Sequence, residues 1–295
     1  DYLPNAVVST LKKLIQDSFD IAHAEDKIIP NVETELADMY APYTYEAVQQ
    51  QGEAREIRFI DAIQEGLKQS MENHDDLVIM GQDVAEYGGV FKVTEGFVEQ
   101  FGKGRVRNTP ICESAIVGAG LGLSISGMKA VVEMQFADFV TCGFNQIINN
   151  LAKMHWRWGQ NADVVVRMPT GANTAAGPFH SQSNEAWFTH TPGLKVVYPS
   201  TPEDAKGLLI AAINDPNPVL FFEHKYLYRS LKGDVAPNAY TTEIGKAKTV
   251  ASGEDLTIVT YGLGVIWAQE YMKKNPDLSI ELLDLRTLLP LDTEL

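Results

Sequence analysis

Three side chains suited to proton transfer or ligand binding, Glu113, Gln135 and His180, each come just after a predicted β-strand. Glu113 begins a helix of small and apolar residues, where a carboxylate has few water partners and needs a specific polar partner. Ligands of parallel sheets bind beyond the carboxyl ends of the strands, so we expect the three side chains to share one edge. A carboxylate placed in this way is typical of a functional site.

The residue types alone leave a second interpretation open for two of these side chains. A glutamate in the first turn of a helix, such as Glu113, often only complements the helix dipole. His180 lies in a loop of small residues, 170–183, which lacks apolar side chains to pack itself and suggests support by a ligand or a partner chain. By residue type alone, a solvated loop histidine is the simpler interpretation.

The glycine-rich runs do not fit a dinucleotide site. Gly118 and Gly120 would need a third glycine where Leu123 stands, and the run at Gly262 would need one where Trp267 stands. We therefore interpret these glycines as positions of close helix packing.

Cysteine and histidine give little support for a nucleophile or a zinc site. Cys112 and Cys142 are expected to be reduced thiols, and a cysteine flanked by small residues, such as Cys112, is usually a core residue. The six histidines are scattered, and none forms the i,i+4 pair of a helical zinc site.

Composition limits the partners. The chain has 295 residues with 24 basic and 39 acidic side chains, a net charge of −15, which argues against a nucleic-acid partner. Its apolar runs end well short of the ~20 residues of a membrane span, so no membrane partner is expected. Together with the cysteine usage, this favours a cytoplasmic protein.

Apolar strands alternate with helices, a pattern that predicts an α/β fold with a parallel sheet covered on both faces. The predicted strands cover 77–80, 105–107, 128–135, 163–168, 194–198, 219–223, 256–261 and 279–284. The predicted helices cover 3–24, 57–71, 139–154 and 200–214, besides the one that begins at Glu113. We divide the chain into a helix and polar linker (1–53), a main domain (54–240) and the truncated start of a third (241–295).

A set of ordered motifs resembles the β subunit of the 2-oxo acid dehydrogenase E1 component. The motifs are Asn108-Thr-Pro-Ile-Cys-Glu113, Glu133-Met-Gln-Phe-Ala-Asp-Phe139, His180-Ser-Gln-Ser183, Pro192-Gly-Leu-Lys-Val-Val197 and Asp284-Leu-Arg-Thr-Leu-Leu-Pro290. Gly88-Gly-Val-Phe-Lys-Val-Thr94 and Leu220-Phe-Phe-Glu223 are more similar to the branched-chain enzyme than to the pyruvate enzyme. Residues 1–50 resemble the tail of the E1 α subunit, so the chain resembles a fragment of a fused α–β enzyme.

This resemblance implies a fold and a cofactor. The fold would be a three-layer, transketolase pyrimidine-type domain followed by part of a transketolase C-terminal-type domain, and the cofactor would be thiamine diphosphate. Glu113 matches the glutamate that bonds N1′ of the cofactor's aminopyrimidine and promotes loss of the thiazolium C2 proton. Ile111, Gln135 and Phe139 match residues around the pyrimidine. His180 matches a histidine that handles the oxo-acid carboxylate and acyl transfer to lipoyl.

The resemblance also implies a structural monovalent cation, K⁺. Its ligands would come from Val164, Ala212, Asp215 and Asn217, largely through backbone oxygens. A plain turn at a helix end is an equally good interpretation of 214–218, because Asn, Asp and Pro are turn residues.

Two departures from the family pattern bear on activity. Gln82 stands where the family commonly has an acid, so a proton relay through that acid would be interrupted or would use Asp83. No Gly-Asp-Gly motif occurs, so the diphosphate and its Mg²⁺ are expected on an E1 α part.

The resulting hypothesis is an E1 that decarboxylates a branched-chain 2-oxo acid and reductively acylates lipoyl-E2. Its partners would be the E1 α part, lipoyl-bearing E2 and a second β chain. Pyruvate or acetoin as substrate, or a catalytically silent assembly domain, are the alternatives, and the isolated chain is expected to be inactive.

Overall fold

The computed structural model describes residues 4–172 and 175–295, so residues 1–3 and two members of the predicted loop, Asn173 and Thr174, lie outside the described residues. The chain forms two compact units, 1–37 and 38–295. The division into 1–53, 54–240 and 241–295 stays a prediction.

The first unit contains two helices, α1 (Asn5–Ala24) and α2 (Val32–Ala37). The apolar spacing correctly predicted α1. Neither helix has a buried residue, and Phe19 of the predicted apolar face is 59% exposed.

The second unit is built on strands that alternate with helices. In chain order, the strands are β1 (Arg55–Arg58), β2 (Leu77–Gly81), β3 (Val106–Asn108), β4 (Lys129–Glu133), β5 (Val164–Thr170), β6 (Lys195–Val197), β7 (Val219–His224), β8 (Lys232–Val235), β9 (Lys248–Ala251), β10 (Leu256–Thr260), β11 (Ile280–Asp284) and β12 (Thr287–Leu289). The helices are α3 (Phe59–Asn73), α4 (Phe97–Phe101), α5 (Glu113–Ile125), α6 (Met154–Trp158), α7 (Pro202–Asn214), α8 (Leu227–Ser230) and α9 (Leu263–Lys274).

The central sheet has seven strands in the order β12-β6-β7-β5-β4-β2-β3. Its pairs are parallel except that of β12 with β6, which is antiparallel. Alternate strand residues point to opposite faces, so the continuous apolar strands bury both faces. The predicted parallel α/β sheet is therefore confirmed.

Helices cover both faces of this sheet and make the three layers. On one face α3 and α7 pack their apolar side chains, such as Leu67 and Leu208, against Ile79 and Val165. On the other face α5 and the segment 137–158 pack against residues such as Val132 and Val166. The predicted three-layer arrangement is therefore confirmed.

Two predicted helices differ from the structure. The helix predicted from residue 57 begins at Phe59, because 55–58 form β1, which pairs antiparallel with β8. The helix predicted over 139–154 is a succession of short turns, 3₁₀ over Ala137–Gly143, π over Gln146–Asn150 and 3₁₀ over Leu151–Lys153. A Cβ on Gly143 would lie 3.3 Å from the Glu113 carbonyl oxygen, so glycine lets this segment approach the first turn of α5.

The polar segment predicted as a linker, 45–54, is irregular, belongs to the second unit and is hydrogen-bonded to residues 238–241. The Tyr45 hydroxyl donates to the Thr241 carbonyl at 3.1 Å, and the Gln51 N–H donates to the Asn238 side chain at 2.7 Å. The remaining strands β9, β10 and β11 form a small mixed sheet with α9 packed on it.

Candidate active site

The carboxyl edge of the central sheet gathers four polar side chains singled out by the sequence, and a fifth, Lys225, that was not. Gln82 follows β2, Glu113 begins the helix after β3, and Gln135 follows β4. The loop after β5 carries His180, and Lys225 follows β7. Since these strands are parallel neighbours, one edge receives all five residues, as predicted for Glu113, Gln135 and His180.

Glu113 is buried, with 8% of its surface exposed. The Gln82 side-chain amide donates a hydrogen bond to Glu113 Oε1 at 3.2 Å, which is the specific partner that a carboxylate in this position needs. Within residues 4–172 and 175–295, no group donates a hydrogen bond to Oε2. One oxygen is therefore held by the protein, and the other has no donor among the described residues.

Gln135 is linked to Glu113 through the loop after β2. Its side-chain amide donates to Asp83 Oδ2 at 3.2 Å, and Asp83 directly follows the residue that holds Glu113. Asp83 has a φ of 59°, a left-handed conformation that non-glycine residues adopt rarely and often at functional sites. Gly88 and Gly89, predicted to permit positive φ, have φ of 78° and 79°, and the Gly89 N–H donates to the Asp83 carbonyl at 2.8 Å.

His180 packs edge-on against two aromatic rings. Its ring centroid lies 4.7 Å from that of Phe136 and 5.5 Å from that of Phe139, and these two phenylalanines are 5.7 Å apart. Two rings of this same chain therefore pack against His180, whose side chain is half-buried, and its role stays a prediction. The imidazole is held beside the aromatic face that Phe139 was predicted to supply.

Ile111 and the two cysteines lie on the surface. The Ile111 side chain is 83% exposed, and Cys112 and Cys142 are exposed thiols. The expectation that Cys112 is a core residue is wrong, because it precedes the first turn of α5, outside the packed face of the helix. The role of Ile111 beside a pyrimidine stays a prediction.

The glycines after Glu113 are packing positions at least in part. A Cβ on Gly120 would lie 2.9 Å from Val132 Cγ1, so α5 can approach β4 only with glycine there. Gly122 has open space around it.

A buried ion network lies just behind this edge, and the sequence interpretation missed it. Arg167 of β5 is fully buried and donates to Glu133 of β4 at 2.6 Å and to both oxygens of Glu223 of β7 at 2.7 Å. The Tyr228 hydroxyl donates to Glu223 at 2.6 Å. Burial raises the pKa of Glu133, although the charge of Arg167 opposes that shift. An arginine inside the apolar strand 163–168 was the signal that could have revealed the network.

Three of the predicted cation ligands, Ala212, Asp215 and Asn217, lie at the end of α7, and the two polar side chains among them already have protein partners. Asp215 pairs with the Lys195 ammonium and accepts from the Asn217 side chain at 2.9 Å, and Asn217 bonds both backbone polar groups of Ala41. Because Lys195 neutralises Asp215, these side chains do not fit an added cation. Ligation by backbone oxygens of Val164 and Ala212 stays a prediction. Among the described residues, no cluster of three or more His, Cys, Asp or Glu side chains could hold a metal.

None of the helices in the described ranges is long and apolar enough to span a membrane.

Comparison with known proteins gives both a family and close relatives. Residues 55–230 match the family described as the transketolase pyrimidine binding domain. The chain is 48% identical to the 2-oxoisovalerate dehydrogenase subunit beta of Bacillus subtilis (strain 168), over 81% of this chain and 74% of that protein. It is 43% identical to the pyruvate dehydrogenase E1 component subunit beta of Acholeplasma laidlawii, also over 81% and 74%.

A solved structure agrees in fold. It is described as a split gene transketolase, inactive beta4 tetramer, and it superposes with a TM-score of 0.65 over 80% of this chain and 73% of that chain. Its sequence is 21% identical, so the likeness concerns the fold alone.

Proposed function

The chain belongs to the family of 2-oxo acid dehydrogenase E1 β subunits and carries their transketolase-type pyrimidine-binding domain, and we propose that it supplies the aminopyrimidine half of a thiamine-diphosphate site. The observation that carries this proposal is Glu113, a buried carboxylate with one oxygen held by Gln82 and the other without a donor in the described chain. Thiamine diphosphate, when bound, supplies the electron sink for decarboxylation of a 2-oxo acid.

The residues present at this edge fit an aminopyrimidine. Glu113 has the free oxygen that a ring nitrogen requires, Phe139 offers an aromatic surface, and Gln135 offers an amide. Glu113 holds a proton between its oxygen and the ring nitrogen, and the amide of Gln82 keeps the carboxylate oriented during this exchange. Packing around α5 keeps water away from the carboxylate.

His180 has a different role in this proposal. Its packing against Phe136 and Phe139 holds the imidazole beside the proposed pyrimidine surface. We propose that His180 orients the 2-oxo acid and the acyl group that passes to lipoyl-E2. The E1 α part would hold the diphosphate and Mg²⁺, and a second β chain would complete the assembly, which we place in the cytoplasm.

A branched-chain 2-oxo acid is the substrate that we prefer. The identity of 48% to a 2-oxoisovalerate dehydrogenase subunit exceeds the 43% to a pyruvate dehydrogenase subunit. Pyruvate is the second candidate, because relatives of both kinds match the chain over the same share of its length.

Reconstitution with an E1 α part tests this function. We expect thiamine-diphosphate-dependent CO₂ release from 3-methyl-2-oxobutanoate, with kcat/KM about 10- to 200-fold above that for pyruvate, the discrimination that a small apolar group provides. The chain without an α part is expected to release no CO₂. Equal kcat/KM for the two acids would contradict the preference for a branched-chain substrate. Cofactor-dependent turnover by the isolated chain would contradict the proposal that the E1 α part holds the diphosphate.

A further inference from the structure

Asp138 lies in the chain between Phe136 and Phe139, the two residues whose rings pack against the His180 imidazole. Its side chain is buried, with 7% of the residue exposed. Asp138 Oδ1 accepts a hydrogen bond from the Gln182 N–H at 3.0 Å, two residues after His180 in the chain. One short segment therefore contacts the imidazole through its rings and binds the backbone of the His180 loop through its carboxylate.

Gln182 joins this loop to the rest of the domain through three hydrogen bonds. Its N–H donates to Asp138, and its carbonyl accepts from the Gly171 N–H at 2.9 Å and from the Thr170 hydroxyl at 3.1 Å. Thr170 is the last residue of β5, so two of the three bonds link the end of the loop to its beginning. Asp138 alone among these partners lies outside β5 and its loop, and it joins the loop to the segment that follows β4.

A second hydrogen bond holds the chain just after Gln182. Asn184 is 2% exposed, and its side-chain amide donates to the Ala137 carbonyl at 2.8 Å. Two consecutive residues, Ala137 and Asp138, therefore bind the chain at residues 184 and 182. Because His180 lies two residues before Gln182, these bonds limit how far the imidazole can move from the rings that it contacts.

Asp138 differs from a buried aspartate that serves the fold. Asp204 is 1% exposed, and its carboxylate pairs with the Arg286 guanidinium at 2.8 Å and bonds the Thr201 hydroxyl at 3.0 Å. Both oxygens of Asp204 therefore have direct partners. In the described ranges, Asp138 Oδ2 has no hydrogen-bond partner, and the hydrogen bond of Oδ1 goes to the loop.

The charge of Asp138 has a buried cation near it. Burial lowers the pKa of Lys225 to about 8, and the Asp138 carboxylate opposes this shift through its charge. The Lys225 ammonium makes no hydrogen bond within the described ranges, so the two groups interact without a direct bond. The carboxylate is thus partly compensated, and its Oδ1 remains available to the Gln182 N–H.

We propose that Asp138 is a positioning residue, which holds the Gln182 N–H and thereby keeps the His180 imidazole in place for the 2-oxo acid and the acyl group. This assignment rests on the proposed function of His180 and deepens it. Asp138 touches none of the reacting groups and acts through His180. A carboxylate suits this task, because a charge-assisted hydrogen bond to a backbone N–H is stronger than a neutral one.

Amide hydrogen–deuterium exchange of the assembled E1 measures this hydrogen bond independently of turnover. In wild type the Gln182 N–H should be protected, and Asp138→Ala should speed its exchange about 10-fold, as for loss of a hydrogen bond to a charged group. Asp138→Asn should keep most of the protection, because the side-chain carbonyl of asparagine accepts the same hydrogen bond.

Asp292→Ala is the matched control for this experiment. Asp292 also accepts a hydrogen bond from a backbone N–H, that of Ala247 at 3.0 Å, and it has no place in the proposed site. Exchange of the Gln182 N–H should be the same in this variant as in wild type. An unprotected Gln182 N–H in wild type would overturn the assignment without any variant, which covers the case that Asp138→Ala does not fold.

Kinetics of the assembled E1 test whether Asp138 acts through His180. Asp138→Ala should lower kcat for acylation of lipoyl-E2 about 10-fold and change the Kd of thiamine diphosphate less than about twofold, whereas Asp138→Asn should keep kcat within about threefold of wild type. In a His180→Ala background, Asp138→Ala should lower kcat no further, because residues that act as a unit are not additive.

Several outcomes would overturn the assignment or separate it from the proposed function. Unchanged exchange of the Gln182 N–H in Asp138→Ala would overturn it, and so would an equal loss of kcat with and without His180. Equal losses of kcat in Asp138→Ala and Asp138→Asn would overturn it too, because the charge and not the hydrogen bond would then matter. Faster exchange in Asp138→Ala, in an E1 whose wild type decarboxylates no 2-oxo acid, would support the hold on the loop while contradicting the proposed function.

Discussion

One group of polar side chains lies within the strands of the central sheet and another lies just beyond the strand ends, and the two groups differ in how fully the protein satisfies them. In the buried network, Arg167 donates hydrogen bonds to Glu133 and Glu223, and the Tyr228 hydroxyl donates a further one to Glu223. At the sheet edge, Glu113 has one donor and Lys225 has none in the described chain. We take the closed network as part of the fold, and we propose that the open Glu113 carboxylate binds a ligand.

The difference follows from where the strands end. Within β4, β5 and β7 both faces are covered by helices, so a charge there must find its partner among neighbouring strands. Just beyond the strand ends, Glu113 and Lys225 are also buried, but fewer of their polar atoms are hydrogen-bonded within the described chain.

The largest effect is expected in the closed network, from Arg167→Met. Glu133 and Glu223 would stay buried without their cation, which should lower the free energy of unfolding by about 3–5 kcal/mol. Urea unfolding followed by circular dichroism measures this change. The control is Arg58→Met, which removes an exposed ion pair with Asp61 and should lower the free energy of unfolding by under about 1 kcal/mol.

The pH dependence gives a second measure of the same variant. Burial already raises the pKa of Glu133, and removing Arg167 would raise it further. A carboxyl whose pKa is raised on folding favours the folded state at low pH, so part of the lost stability should return as the pH falls from 7 towards 5. A loss of less than about 1 kcal/mol at pH 7 would contradict the view of a closed network.

His180→Ala tests the open edge. Removing the imidazole takes away a proton-transfer or orienting group, so kcat should fall about 100-fold. The Kd of thiamine diphosphate should change less than about twofold, because Glu113 and Phe139 carry the proposed pyrimidine contacts. Steady-state kinetics and cofactor titration of the assembled E1 provide both numbers. A loss of cofactor affinity equal to the loss of turnover would instead make His180 a structural support.

The smallest effect is expected from Gln82→Ala. The variant removes the one donor to Glu113, and a hydrogen bond to a charged group corresponds to about 1.5 kcal/mol, or roughly tenfold in kcat. Gln100→Ala, which removes an exposed hydrogen bond to Glu72, is the control and should leave kcat unchanged. Unaltered turnover in Gln82→Ala would mean that Glu113 keeps its orientation without this amide.

The parallel sheet, its two covering layers and the edge shared by Glu113, Gln135 and His180 were predictable, because apolar strands and the residues after them are local patterns. The break in the helix predicted over 139–154 was not, since it depends on Gly143 meeting the first turn of α5. The partners of Arg167 and the missing partner of Lys225 depend on strand order, which local patterns do not encode.

Hydrogen–deuterium exchange at C2 of thiamine diphosphate bound to the assembled E1 tests the central claim about Glu113 most directly. We expect Glu113→Gln to slow this exchange by roughly 10²–10⁴-fold while unfolding at the same urea concentration as wild type, because the amide cannot share a proton with the ring nitrogen. Exchange at the wild-type rate in Glu113→Gln would contradict the account.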